Sequence, residues 1–221
     1  MMSTDLLRAA PRTLVLGALA LGLAACSDGS EEAIAQATDP AVAGTVAACA
    51  ACHGAGGEGN EALGAPAIAN LEQDYLERQL NLFRTGLRGF HEDDERGQQM
   101  RAIVAPMSEA QIREIAAAVG AFDPVELAPS ANGEAADGKN YYTALCGACH
   151  GPDATGNPRL NAPSLVAVDG WYLVSQFEAF RKEWRGVDPA DHFGRQMQYM
   201  TRALPEVSDT RAVAAYIETL R

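Results

Sequence analysis

Apolar side chains recur every three to four residues in several stretches of the chain, a spacing that predicts amphipathic helices. These stretches include residues 75–83 and 172–180, and helices are also predicted at 41–51, which is rich in alanine, and at 140–148, both of which run into a cysteine motif. A further helix is predicted to begin after Ser108, because serine is a favoured N-cap residue and Ile112 and Ile115 follow on one face. No stretch alternates as a β-strand would. The pattern therefore predicts an all-α protein.

The chain repeats itself with an offset of 97 residues. The segment Cys-Ala-Ala-Cys-His that ends at His53 recurs as Cys-Gly-Ala-Cys-His ending at His150. The same ungapped register pairs many further residues, among them Pro66 with Pro163, Tyr75 with Tyr172, Gln79 with Gln176, Phe83 with Phe180, Arg88 with Arg185 and Met100 with Met197. So many matches in one register indicate a duplicated domain.

A stretch with two prolines and no apolar periodicity separates the copies, as is typical of a linker. The predicted division is a first domain at 40–122 (the first copy), a linker at 123–132 and a second domain at 133–221 (the second copy). Residues 26–39 before the first copy are predicted to be a flexible tether.

Cys-x-x-Cys-His is the attachment signature of c-type haem. Residues three apart share a helical face, so both thiols can reach one edge of a porphyrin while the adjacent imidazole points at the iron. The sequence thus predicts two haem c groups, with thioethers from Cys49, Cys52, Cys146 and Cys149 and axial ligands His53 and His150. A redox-active cysteine pair or a structural disulfide would leave the histidines unexplained. A four-cysteine zinc site is disfavoured because 93 residues separate the pairs.

Each copy offers two methionines as the sixth iron ligand, which in an electron carrier closes the iron to outside ligands. Met100 and Met197 are equivalent under the repeat and are the predicted ligands, whereas Met107 and Met200 each pair with an apolar residue of the other copy. Met200 remains the main alternative in the second copy.

Other side chains could act near the haems, and for these the sequence leaves two interpretations open. His91 and His192 could give an iron with two histidine ligands, but they are not equivalent under the repeat and are predicted to be solvated loop residues. Four arginines could bind haem propionates or acidic residues across the domain boundary, or could lie on solvated helix faces; they are Arg84, Arg88, Arg181 and Arg185.

The N-terminus has the pattern of an export signal: Arg8 and Arg12 precede an apolar run at 13–23, which ends in Leu-Ala-Ala-Cys at Cys26. This ending resembles a bacterial lipobox, so residues 1–25 are predicted to be a lipoprotein signal peptide and Cys26 the lipidated residue. A plain signal peptide containing Cys26 is the alternative. The expected location is the periplasmic side of the cell envelope, anchored by lipid to the inner or the outer membrane.

Charge is distributed unequally along the expected mature chain. It carries 28 acidic and 15 basic side chains, a net charge of −13, with 16 acids and 6 bases at 26–124 against 12 and 9 at 125–221. A nucleic-acid partner is excluded, because phosphate binding needs the opposite sign. The acidic first copy predicts a basic docking face on one partner protein.

The chain resembles the dihaem cytochromes c of the cytochrome c4 type over nearly all of its expected mature length. The similarity rests on the two haem motifs, the glycine- and asparagine-bearing loops that follow them, the Tyr-Leu-x-x-Gln-Leu-x-x-Phe-Arg segment at 75–84 and Met100 with the helix behind it. It implies two class I cytochrome c domains in tandem, with a carbonyl near Pro66 or Pro163 accepting a hydrogen bond from the proximal imidazole. The sequence departs from the family at the last helices, where the second copy has one extra residue and the first has Ala118 in place of the usual tyrosine.

The expected function is electron transfer between respiratory proteins, for example from a quinol-oxidising complex to a terminal oxidase or reductase. An alternative is the cytochrome subunit of a dehydrogenase that oxidises sulfide or an alcohol. A dihaem peroxidase would need an iron with an open coordination position, and the paired Met100 and Met197 argue against it.

Overall fold

The computed structural model describes residues 40–204 and 206–221 of the chain. The predicted signal peptide, the tether and Cys26 lie outside these residues. Over the described ranges the regular structure is helical, and β-pairing is limited to isolated bridges such as Asn60 with Ala65. No helix in this part of the chain combines the length and apolar character needed to cross a membrane. The predicted all-α fold class is confirmed.

The two copies contain the same helices in the same order. The first copy comprises α1 (Pro40–His53), a 3₁₀ turn (Glu61–Leu63), α2 (Gln73–Arg84), α3 (Glu95–Val104) and α4 (Glu109–Gly120). The second comprises α5 (Ala135–Tyr141), a π-helical turn (Tyr142–Cys146), α6 (Gly147–His150), a 3₁₀ turn (Pro158–Leu160), α7 (Gly170–Arg181), α8 (His192–Arg202) and α9 (Val207–Glu218). The continuous segment 135–150 is the counterpart of α1.

Side-chain caps fix several helix starts. Ser108 caps α4 as predicted, in a reciprocal capping box with Gln111. Asp94 and Asp191 cap α3 and α8 by accepting hydrogen bonds from backbone N–H groups three residues ahead. Asp94 lines a cavity of the first copy and Asp191 the equivalent cavity of the second, so the caps also fix where α3 and α8 begin relative to the haem motifs.

Each copy packs its last helix against its first helix and its second helix, and the apolar faces of these helices form the core. In the first copy the buried residues include Val46, Leu76, Phe83, Ile112, Ile115 and Val119. In the second they include Tyr142, Leu173, Phe177, Leu204, Val213 and Ile217. Leu71, at the boundary, contacts both cores and joins them.

The segment predicted as a linker is irregular in structure but is hydrogen-bonded at both ends. The side chain of Asn70 both donates to the carbonyl and accepts from the N–H of Val125. Further along, the carboxylate of Glu218 accepts hydrogen bonds from the backbone N–H groups of Ser130 and Ala131. These bonds hold the connection against both copies.

Candidate functional site

Each copy encloses an apolar cavity, of about 340 Å³ in the first and about 440 Å³ in the second. The walls bring together residues that are far apart in sequence. In the first copy these include Cys49, Cys52, His53 and Met100; in the second they include Cys146, Cys149, His150 and Met197. All eight predicted haem-binding side chains therefore line the two cavities, four in each.

The proximal histidines are held by the same hydrogen bond in both copies. The Nδ1–H of His53 donates to the carbonyl of Pro66 over 2.7 Å, and that of His150 to the carbonyl of Pro163 over 2.9 Å. A carbonyl only accepts, so this bond assigns the proton to Nδ1 and leaves the Nε2 lone pair for a metal. Burial lowers the pKa of both imidazoles, which favours the neutral form that binds iron.

A tight loop after each haem motif places the proline carbonyl. The N–H of Gly59 donates to the carbonyl of His53, and the N–H of Gly156 to that of His150. Gly59 has φ +86° and lies against the backbone of Ala67, where a side chain would collide with the main chain. Glycine is thus required at this position.

The cysteines of each pair differ in environment. Cys49 and Cys146 are half-buried, and Cys52 and Cys149 are exposed. Burial raises the pKa of the Cys49 thiol and raises that of Cys146 to about 12. The first thiol of each motif is therefore held neutral inside the apolar wall.

All four candidate methionines line a cavity, but their surroundings differ. Met107 also packs against the core of the first copy, and Met200 is 37% exposed at the surface. Met100 on α3 and Met197 on α8 are partly buried, and each packs against the core residues of its own copy. Their ligation of iron stays a prediction.

Neither cavity is lined by His91 or His192. His192 is exposed at the start of α8. His91 is not simply solvated as expected: its ring stacks on Trp184 of the second copy, with centroids 5.5 Å apart. Comparison of the two copies could not reveal this contact, because His91 and Trp184 are not matched by identical residues in the other copy: Asp188 is equivalent to His91, and Leu87 to Trp184.

The four arginines divide into two pairs. Arg84 binds Glu109 and Arg181 binds Glu178, each within its own copy. Arg88 and Arg185 are instead buried, 6% and 5% exposed, and their backbones pair at the boundary between the copies. Each guanidinium also lies over a phenylalanine ring of its own copy.

A hydrogen-bonded cluster surrounds the two buried arginines. Arg88 donates to the side-chain oxygens of Gln79, Tyr172 and Gln176, and Arg185 donates to those of Gln79 and Gln176. Tyr75 and Tyr172 complete the cluster, and the positive charges of Arg185 and Arg88 outweigh burial to lower the pKa of Tyr75. Sequence comparison paired these residues between the copies without indicating that they meet.

The arginine cluster supplies a test of whether the cavities suit haem. Arg88 faces the first cavity and Arg185 the second. Among the described residues their hydrogen bonds go to amide and phenol oxygens, and the buried Nε of Arg185 has no partner. Two buried cations facing apolar cavities fit a planar apolar group that carries carboxylates, which is the chemistry of a haem with its propionates.

Comparison with known proteins agrees with this site. The cytochrome c family matches the chain at residues 42–117 and again at 135–221. The "Thiosulfate dehydrogenase electron acceptor" of Stutzerimonas stutzeri is 32% identical over 76% of this chain and 77% of its own length, and that of Thiomonas intermedia is 33% identical over 77% of each. Cytochrome c4 of Pseudomonas aeruginosa is 28% identical over 85% of this chain and 92% of its own length.

Solved structures show the same fold. Reduced cytochrome c4 from Pseudomonas stutzeri superposes with a TM-score of 0.65 at 22% identity, over 88% of this chain and 100% of the other. The thiosulfate dehydrogenase from Marichromatium purpuratum superposes with a TM-score of 0.61 at 29% identity over 77% of this chain, which spans only 36% of that longer chain. The chain therefore belongs to the cytochrome c family, as a dihaem, cytochrome c4-like electron carrier with two haem c groups.

Proposed function

We propose that this protein is a two-haem relay that accepts electrons from a thiosulfate-oxidising dehydrogenase and delivers them to a second redox protein, such as a terminal oxidase. The observation that carries the proposal is the shared wall of the two cavities. Tyr75, Gln79, Tyr172 and Gln176 line both. Electrons entering one copy can therefore reach the other without leaving the protein.

The names of the relatives suggest the partners. Two relatives over three quarters of this chain are electron acceptors of thiosulfate dehydrogenase. A further relative, a cbb3-type cytochrome c oxidase subunit of Rhizobium leguminosarum, is 32% identical over 53% of this chain and 40% of its own length. A dehydrogenase as donor and an oxidase as acceptor are consistent with these similarities.

In this proposal four side chains of each copy would hold one haem. Cys49, Cys52, Cys146 and Cys149 would form the thioether bonds, and His53, His150, Met100 and Met197 would bind the two irons. Bound in this way, haem supplies a one-electron couple at an iron closed to outside ligands. The protein fixes the imidazole orientation through the Pro66 and Pro163 carbonyls, excludes water with apolar walls and places the positive charges of Arg88 and Arg185 where they can compensate the negative charges of the propionates.

The surface around each cavity mouth favours different partners. Leu63 and Ile103 border the first cavity, and their equivalents Leu160 and Met200 border the second; all four are exposed. We call each pair, together with the charged residues that precede or follow its members within a few positions of the sequence, a rim. Acidic residues of the first rim are replaced by uncharged ones in the second, Glu58 by Thr155, Glu61 by Pro158 and Glu95 by His192.

The second rim also gains basic residues that the first rim lacks. Two neutral residues of the first rim are replaced by arginine in the second, Ala62 by Arg159 and Gln98 by Arg195, while Arg96 of the first rim is replaced by Phe193. The first rim is therefore net acidic and the second net basic. A partner with a basic face docks at the first rim, and its association rate falls as ionic strength rises.

Rapid mixing tests the relay. The oxidised dihaem protein is mixed anaerobically with thiosulfate and a purified thiosulfate dehydrogenase, and haem absorbance is followed. The expected result is reduction of both haems at a rate that depends on the dehydrogenase concentration. Failure of the enzyme to reduce the protein any faster than thiosulfate alone would contradict the proposed donor.

A pair of double variants tests the docking surface. Glu58→Gln with Glu61→Gln removes two charges from the first rim, and Glu126→Gln with Glu134→Gln removes two charges from exposed positions elsewhere. The first double variant is expected to slow either reduction by the dehydrogenase or oxidation by an oxidase by about tenfold at low salt. The control should leave both rates close to those of the unmodified protein.

The location of the relay belongs to the same proposal. A signal peptide at 1–25 and a lipid on Cys26 would tether the protein to a membrane, with 26–39 as the spacer between the lipid and the first copy. Mass spectrometry of the membrane fraction is expected to find an acylated Cys26 at the N-terminus. A Cys26→Ala variant should then be released in soluble form with both haems attached.

A further inference from the structure

Each copy reaches across the boundary to bind one peptide group of the other. The carboxylate of Asp169, at the start of α7, accepts a hydrogen bond of 2.8 Å from the N–H of Ala67. The carboxylate of Glu72, at the start of α2, accepts one of 3.1 Å from the N–H of Ser164. The offset of 97 relates Glu72 to Asp169 and Ala67 to Ser164. The two bonds are therefore reciprocal across a pseudo-twofold interface.

The peptide groups bound in this way are the ones that hold the proximal histidines. The N–H of Ala67 and the carbonyl of Pro66 belong to a single peptide unit, and that carbonyl accepts the Nδ1–H of His53. In the second copy, the peptide between Pro163 and Ser164 accepts from His150 and donates to Glu72. One planar amide thus stands between each imidazole and an acidic side chain of the other copy.

We propose that Asp169 and Glu72 are positioning residues that tune the proximal histidine of the opposite copy through this shared peptide, so that each domain sets part of the other haem's potential. The proposal rests on the proposed function only in taking His53 and His150 as the iron ligands.

The effect follows from peptide resonance. A carboxylate that accepts from an amide N–H draws positive charge to nitrogen and negative charge to the carbonyl oxygen, and linked hydrogen bonds strengthen one another. The more negative Pro66 oxygen takes a stronger hydrogen bond from His53, which makes the imidazole a better electron donor to its metal. A stronger donor favours ferric over ferrous iron. Asp169 therefore lowers the potential of the first haem.

The two bonds are unequal. Asp169 is partly buried, and burial raises the pKa of its carboxyl. Glu72 is exposed to solvent and makes the longer bond. A charge acts more strongly where solvent screens it less. The first haem is therefore tuned more than the second, which gives two otherwise similar copies different potentials.

Isosteric amides test the charge while keeping an acceptor in place. In the dihaem protein, Asp169→Asn is expected to favour reduction of the first haem by about three- to tenfold, a rise of about 30–60 mV at 59 mV per tenfold, and to leave the second haem nearly unchanged. Glu72→Gln should raise the potential of the second haem by a smaller amount. Redox titration followed by NMR of the haem methyl signals assigns each change to one copy.

A second readout separates tuning through the peptide from a general loss of negative charge. In the reduced protein, the NMR signal of the His53 Nδ1 proton should move upfield in Asp169→Asn because its hydrogen bond weakens, while that of His150 stays in place. Glu218→Gln is the matched control: Glu218 is a buried carboxylate close enough to influence Asp169 electrostatically, but it accepts its hydrogen bonds from Ser130 and Ala131 of the linker and forms an ion pair with Arg221. It should leave the His53 signal unchanged.

Two results would overturn the inference. One is an Asp169→Asn protein with both haems attached whose potentials and His53 proton signal match the unmodified protein. The other is an equal shift of potential in Glu218→Gln, which would assign the effect to charge alone. Asp169→Glu, which restores the carboxylate, should recover most of the original potential. A His53→Ala variant with unaltered haem spectra would instead refute the proposed ligation.

Discussion

The two copies are nearly identical where they face the cavities and different where they pack and meet solvent. Both hold the histidine by a proline carbonyl, cap the third helix with aspartate and bury one arginine at the boundary. The helix that carries the haem motif differs. In the first copy it is the continuous α1, whereas in the second it is interrupted by a π-helical turn that ends at Cys146, the first cysteine of the haem motif.

The packing around Tyr142 accompanies the π-helical turn that distinguishes the first helix of the second copy from α1. Tyr142 is 1% exposed, its ring contacts Tyr216 on α9, and its hydroxyl donates to the carbonyl of Gly151. The repeat places Thr45 at the position of Tyr142. The second copy thus anchors its haem loop through an aromatic pair that the first copy does without. After duplication, the cavity walls were constrained by chemistry, while the helix contacts behind them were free to diverge.

The largest expected effect tests the equivalence of the cavities. Met100→Ala and Met197→Ala should each abolish half of the near-infrared absorption band that arises from thioether bound to ferric iron, because each copy contributes one such bond. Absorption spectra of the oxidised variants measure this. An intact band in Met197→Ala would show that Met200 is the ligand in the second copy and that the copies are not equivalent.

The buried arginines should be equivalent as well. Arg88→Leu removes three hydrogen bonds, two of them to the second copy, and is expected to lower the free energy of unfolding by about 3 kcal/mol. Arg185→Leu should cost a similar amount. Denaturant titration followed by circular dichroism measures both.

Arg84→Leu is the control for these variants, because its ion pair with Glu109 lies at the surface and should contribute less than about 1 kcal/mol. Equal losses in Arg84→Leu and Arg88→Leu would contradict the assigned role of the boundary cluster.

Glycines in the two first helices should respond in opposite directions. Gly138 on α5 lies against the backbone of Ala212 on α9, so a methyl group at this position would overlap the main chain. Gly138→Ala should lower the free energy of unfolding by about 1–3 kcal/mol. Gly44 on α1 has open space around it, and Gly44→Ala should be neutral or stabilising by up to about 1 kcal/mol. Thermal unfolding of both variants provides the comparison.

The smallest effect concerns Tyr142. Tyr142→Phe leaves the Gly151 carbonyl without its donor and should cost about 1 kcal/mol at neutral pH. Burial raises the pKa of the Tyr142 phenol from 10.0 to about 12. As pH rises, this phenol ionises at a lower pH in the unfolded chain than in the folded protein. The contribution of the neutral Tyr142 phenol to the free energy of unfolding is therefore complete below pH 10 and is lost as pH rises to about 12. Unfolding at pH 8 and pH 11 should therefore show a smaller difference between the two proteins at the higher pH.

Much of this protein is determined by local sequence. Helical spacing of apolar residues predicted the second helices of both copies, and Ser108 marked the start of α4. The haem motifs and the register that pairs Met100 with Met197 identified the residues that line the cavities. These features depend on neighbours within a few turns of helix or on direct comparison of two copies, so they can be recognised without coordinates.

The contacts between the copies were decided only by the tertiary structure. Arg88, Tyr172 and Gln176 stood out as repeated residues, yet nothing in their spacing showed that they meet, because about 90 residues separate them in the chain. Glu72 and Asp169 occupy equivalent positions but differ in type, so a comparison of identical residues in the two copies does not single them out. Helical periodicity records which face of a helix is buried. It does not record which residue of a distant copy lies against that face, and that pairing depends on how the two domains pack.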